Sequence, residues 1–219
     1  VRNRFFYNID KKLIHKTEVV YPSIHKIKKL PKKEKRIVFI GKLNTSKGYD
    51  LYKDAVTKIL DKYNDWKAYS IGDEDRKRPV IKHDNHFELG LLEHKKVLDF
   101  LSKSEIAVVP SRWEEPFGRT ALESTSRGCA TIISKKGGLP ETTDNSIILK
   151  KLNSNEIYKE IKKLILNSKS RKLIQIKSFK NVKHITSNNS KFIDNIRENL
   201  LINFNLNILK KRLRIINIY

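Results

Sequence analysis

Ile37-Val38-Phe39-Ile40-Gly41-Lys42-Leu43-Asn44-Thr45-Ser46-Lys47-Gly48 begins the part of the chain on which the fold turns. A β-branched run leads into a loop bounded by glycines. Tyr49–Tyr63 then puts Leu51, Ala55, Ile59 and Leu60 on one helical face, with Asp, Lys and Thr elsewhere. Comparable apolar runs recur at Ala68–Ile71, His86–Leu89, Ile106–Val109, Ala130–Ile133 and Ser146–Leu149. Helical spacing returns at His94–Leu101 and Arg119–Arg127. Strand–helix alternation with Ile- and Val-rich strands predicts an α/β fold, a doubly wound, Rossmann-like parallel sheet covered on both faces, over residues 36–169.

Outside that span the pattern changes. Residues 1–18 read as the end of a helix, Val19–Tyr21 as a strand and Pro22–Lys35 as a basic linker, making 1–35 a separate leading segment. Asn153–Leu166 is a helix with Asn153 or Ser154 as cap. Residues 170–219 form a C-terminal helical segment with helices at Ser170–Phe179 and Lys191–Leu201. Leu200–Tyr219 reads equally as an amphipathic helix or a frayed tail.

The 219 residues carry a formal charge of +23. Lys, Asn and Ile all have A/T-rich codons, so base composition accounts for part of the lysine. The distribution says more: residues 1–36 hold +9, 37–149 only +1, and 150–219 hold +13. A nucleic-acid binder concentrates charge on its binding face. Excess on two flanks argues against that and suits an anionic membrane surface, an acidic partner or no specific partner. The one cysteine, Cys129, excludes an internal disulfide, fits a cytoplasmic compartment and reads as a small core residue. Arg2, Arg4, Asp10 and Lys11 interrupt any N-terminal signal region, and no stretch is apolar enough for a transmembrane helix.

In a doubly wound sheet of order 3-2-1-4-5-6, the exit loops of the first and fourth strands diverge and frame the ligand crevice. Those loops are Gly41–Gly48 and Pro110–Gly118. The first combines glycines, lysines and hydroxyls ahead of a helix, which fits a phosphate site or a plain connection. Its glycine spacing is not that of a Walker loop. The second places Glu114 and Glu115 before Pro116-Phe117-Gly118 and a helix holding Glu123. A helix start favours an anion, and two carboxylates eight residues apart suit hydroxyls of two sugars. The third loop, Ser134–Glu141, has paired glycines for close backbone approach to a ligand or for a tight turn. Asp73-Glu74-Asp75 and the His83/His86 pair read as solvated loop groups rather than metal ligands. Trp113 either shapes the pocket or anchors its loop.

These motifs, taken together, resemble a known family. Gly41-Lys42-Leu43 with Lys47-Gly48, Phe87-Glu88-Leu89-Gly90, Pro110 through Glu123, Arg127-Gly128-Cys129-Ala130 and Gly137-Gly138-Leu139-Pro140-Glu141 are similar in order and spacing to the C-terminal, donor-binding domain of family-4, GT-B-type retaining glycosyltransferases. The Glu-x7-Glu pair is Glu115 and Glu123, and the match covers residues 19–180.

The resemblance implies roles. Lys42 and Lys47 hold the donor diphosphate; Lys42 stands where the family usually has Arg, which keeps the charge but loses the bidentate fork. Glu115 is the catalytic carboxylate beside the donor sugar, and Glu123 binds the ribose hydroxyls. Gly41 and the backbone at Phe117, Gly118 and Arg119 meet sugar and phosphates, and Leu91 borders the base. The donor is a UDP- or GDP-sugar, no metal or other cofactor is needed, and the acceptor is a glycan or a lipid-linked molecule. Residues 1–18 correspond only to the last helix of the acceptor domain, so the resemblance supports donor binding more directly than turnover. Exposed apolar surface is expected near Leu200–Tyr219. The rival readings are a non-catalytic nucleotide-sugar module, and a basic protein of the inner membrane face or of nucleic acid.

Overall fold

The computed structural model describes residues 20–76 and 78–216, with side chains through residue 205. Six strands form one wholly parallel sheet: β1 (Glu34–Ile40), β2 (Lys67–Ile71), β3 (His86–Glu88), β4 (Ser104–Val109), β5 (Ala130–Ile133) and β6 (Ile147–Ile148). Their order is β3-β2-β1-β4-β5-β6, as the alternation predicts. Register pairs Ile37 with Ala68 on one side of β1 and Val38 with Ala107 on the other.

The α-helical crossovers are α1 (Tyr49–Leu60) between β1 and β2, α2 (His94–Lys103) between β3 and β4, and α3 (Arg119–Ser126) between β4 and β5; β2 to β3 and β5 to β6 are joined with no α-helix among the described residues, and α4 (Ser154–Leu166) follows β6. Two further helices follow, α5 (Ser168–Lys180) and α6 (Thr186–Ile216). Successive side chains of a strand point to opposite faces, so both faces of the β1 run are buried. Ile37 and Phe39 pack with Tyr49, Tyr52, Ala55 and Ile59 of α1 and with Ile157, Ile161 and Leu164 of α4. Val38 turns the other way, to Val97 and Leu101 of α2 and to Cys129. The Asn153 side chain caps α4 by accepting from the Glu156 amide at 2.8 Å.

Several expectations need correction. The boundary at 35/36 cuts β1, and the one at 169/170 cuts α5. Pro22–Lys35 is mostly exposed, as a basic linker would be, but it is tied to the domain at two points. Ile24 is buried and forms a parallel bridge with Ile185. Lys33 donates to the Arg127 carbonyl at 2.6 Å, and burial lowers the pKa of its ammonium. Of the strand expected at Val19–Tyr21, Val20 and Tyr21 are not in a strand, and Val19 and the helix expected over 1–18 lie outside the described residues. Leu51 is only partly buried, whereas Tyr49 and Tyr52 form the inner face of α1. The last two helical expectations merge into α6, on which Leu200, Leu201, Ile202 and Phe204 are exposed. No helix among the described residues is long and apolar enough to cross a membrane.

Candidate functional site

The exit loops of β1 and β4 meet, as the strand order requires. The Asn44 side chain accepts from the Lys47 amide at 3.1 Å and shapes the first loop. Gly48 closes it in the left-handed region, at φ 74°, where a Cβ would lie 2.0 Å from the Pro110 carbonyl oxygen. Only glycine allows that approach. The second loop answers with hydrogen bonds: the amides of Arg112 and Trp113 both donate to the Ser46 carbonyl, at 2.9 and 3.1 Å. The Arg112 guanidinium grips Asp50 with two bonds of 2.6 and 2.7 Å. Burial opposes the Asp50 charge, but this fork outweighs it and carries the carboxyl below its usual range.

Within this frame Lys47 Nζ lies 2.6 Å from Glu115 Oε1, and Ser111 Oγ donates to the same oxygen at 2.9 Å. The Glu115 side chain is 14 % exposed and that of Lys47 32 %. Glu115 lies in the loop four residues before Arg119, the first residue of α3. The residue before that helix, Gly118, supplies no side-chain cap, so the first amides of α3 remain available to an anion. Gly41, Lys47, Glu115, Phe117, Gly118 and Arg119 line one cleft of about 370 Å³. Gly41, Lys42 and Leu91 line an adjoining one of about 440 Å³, reached across Ile40 and Gly41. The two lysines therefore face neighbouring clefts rather than a single point.

Glu123 lies in the second turn of α3 and is 7 % exposed. It lines neither cleft. Its Oε1 is 2.9 Å from His94 Nε2 and 3.4 Å from an Arg119 guanidinium nitrogen. Sequence reasoning missed His94, Ser111 and Asn44, all of which orient a candidate site group. His94 opens α2 and Glu123 lies on α3, and no periodicity links positions 29 residues apart.

The paired glycines let the third loop pack closely under the second. A Cβ on Gly137 would fall 2.2 Å from the Glu115 carbonyl oxygen, and the Gly138 amide donates to that oxygen at 2.7 Å. The third loop is thus a brace under Glu115. Glu74, the middle of the acidic triplet, accepts from Arg76 and from Asn44, which holds its carboxyl at about 2. His83 and His86 do different work: the His83 ring accepts from the Asn85 amide, and His86 Nε2 meets Ser70 Oγ at 2.8 Å. Burial lowers the His86 pKa to about 4. Trp113 is 58 % exposed and lines neither cleft.

Comparison with known proteins agrees with this fold. The family model for glycosyl transferases group 1 matches residues 20–181. One component of human phosphatidylinositol N-acetylglucosaminyltransferase is 31 % identical over 143 residues, which are 61 % of this chain and 29 % of that protein. The chain spans under a third of the length of this and two other curated relatives. Among solved structures, the C-terminal domain of a Francisella tularensis glycosyl transferase group 1 protein, LpcC, superposes with a TM-score of 0.57 at 24 % identity, covering 68 % of this chain and 85 % of that one. Anabaena HepE in complex with UDP-glucose superposes with a TM-score of 0.64 at 16 % identity, covering 75 % and 49 %. The fold is thus the C-terminal, Rossmann-like half of a GT-B glycosyltransferase, and the chain belongs to the glycosyl transferases group 1 family.

Proposed function

We propose that this chain is the donor-binding half of a retaining, metal-independent glycosyltransferase that takes a UDP- or GDP-sugar into the two adjoining clefts. One observation carries the reading: Lys47, Glu115 and the uncapped start of α3 meet in one cleft at the switch point of the sheet. A cation and free backbone amides suit a diphosphate. A carboxylate held by Lys47 and Ser111 suits the hydroxyls of the sugar beside it. Lys42 adds charge from the adjoining cleft, where Gly41 and Leu91 flank the nucleoside. Glu123 lies outside both clefts, held by His94 and Arg119, and must exchange these partners to accept from ribose hydroxyls.

Binding exchanges partners. The diphosphate takes Lys47 from Glu115, and Glu115 turns to the sugar. As the sugar departs, Lys47, Lys42 and the dipole of α3 stabilise charge on the leaving diphosphate, the task a metal performs in other transferases. The UDP-glucose complex of HepE supports this choice of donor class. The acceptor is a glycan or a lipid-linked molecule recognised by an acceptor domain, and the basic flanks fit work at the anionic cytoplasmic face of a membrane.

Titration calorimetry of this chain with UDP and GDP, in EDTA and again with magnesium, tests the reading. One nucleotide is expected to bind saturably with the same Kd in both buffers. Absence of binding by either would remove the donor site. Binding that vanishes in EDTA would remove metal independence.

A further inference from the structure

Helix α5 is inverted relative to an ordinary surface helix. Its inward face is polar: Arg171 and Gln175, 6 % and 5 % exposed, reach Glu105 Oε2 at 3.0 and 2.6 Å, and Ser178 is buried on the same side. Two of its apolar residues face water instead, Leu173 53 % and Ile176 50 % exposed, while Ile174 packs against the core. Lys169, Lys172, Lys177 and Lys180 are exposed around them. At the end of α4, Leu166 is 65 % exposed and Lys162 lies one turn before it. No acidic residue occurs between Glu160 and Asp194. The acids nearest this face are spent, Glu160 on Lys163 at 2.7 Å and Glu105 on Arg171.

A surface helix normally buries its apolar stripe. Here the Glu105 carboxylate claims Arg171 and Gln175 for the inside, which turns Leu173 and Ile176 outward. The resulting face mixes aliphatic groups with ammonium groups and carries no free acid. A second copy of the chain would set lysine against lysine. Nucleic acid would use the lysines but leave Leu173 and Ile176 in water. An anionic bilayer uses both, since lysine stems lie along the boundary with their charges at phosphate level while leucine and isoleucine enter it.

We propose that the outer face of α5, with the end of α4, docks this domain on an anionic membrane. The proposal rests on the membrane contact in the proposed function and gives it a surface. Helix α5 starts beside Glu105, at the N-terminal edge of the sheet, whereas the clefts open at the C-terminal edge.

The test is co-sedimentation of the chain with vesicles of equal parts phosphatidylglycerol and phosphatidylcholine, and with phosphatidylcholine alone. Wild type is expected on the anionic vesicles only. Lys169→Gln with Lys172→Gln should lower partition about fivefold per lysine. Leu173→Ser with Ile176→Ser should lower it by about tenfold. Lys95→Gln with Lys96→Gln on α2, an equal charge change elsewhere, should leave it nearly unchanged. If wild type fails to bind, the membrane-contact reading itself falls. If wild type binds and the α5 variants bind equally, or the α2 control is weakened as much, the docking face is wrong while membrane contact stands. Nucleotide titration of each variant reports that the fold and the donor site are intact.

Discussion

Lys47→Ala is expected to weaken nucleoside diphosphate binding by about two orders of magnitude, measured by calorimetry. Two effects add. The charge-assisted bond from Lys47 to phosphate is lost, a term of about 1.5–3 kcal/mol. Glu115, only 14 % exposed in its side chain, also loses its cation and is left with Ser111, its charge facing an incoming dianion. The second effect has its own signature. In the Lys47→Ala background, Glu115→Gln should recover part of the nucleotide affinity, because it removes the opposing charge. In the wild type the same change should weaken the sugar nucleotide more than the bare diphosphate. Equal affinity of Lys47→Ala and wild type would place the diphosphate elsewhere.

Arg171→Ala should be strongly destabilising although it lies outside the site. Arg171 and Glu105 are 6 % and 9 % exposed and bonded at 3.0 Å, and the guanidinium also stacks over Trp66 at 5.2 Å. Removing Arg171 leaves the buried Glu105 charge with only the neutral Gln175 amide at 2.6 Å, at a cost of about 3 kcal/mol. For a domain of this size that is roughly a 10 °C fall in melting temperature. Replacing both residues with apolar ones of similar volume, Arg171→Met with Glu105→Leu, should restore much of the loss. A fall of less than about 1 kcal/mol in Arg171→Ala would mean that water reaches Glu105.

The behaviour of Arg171 also shows where reading the sequence stops. Strand order was legible because most of the β-branched runs from Ile37 to Ile133 alternate with a helical stretch, and because parallel strands buried on both faces leave continuous apolar text. The facing loops followed from that order. Which side of α5 turns inward was not legible, since hydropathy favours Leu173 and Ile176 and only the distant Glu105 reverses the choice. The segment before β1 misled for a related reason. Its lysines suggest solvent, yet Leu30 packs where a Cβ on Gly128 would be 2.4 Å away, and a residue pair so far apart in sequence leaves no local trace. The candidate lysines and glutamates were legible as types in loops. Their partition between two clefts, and the hold of His94 on Glu123, depended on side-chain directions that spacing does not encode.

The central claim is one nucleotide-sugar site spanning both clefts, and it is tested most directly by amide NMR shifts during titration with UDP and with GDP. The site predicts that one nucleotide moves the amides of Gly41, Lys42, Lys47, Gly118 and Arg119 along a single saturating curve, with the side-chain signals of His94 following as Glu123 takes up the ribose. Shifts confined to the lysines of α4 and α5, or shifts that grow linearly without saturation and fade with salt, would contradict it.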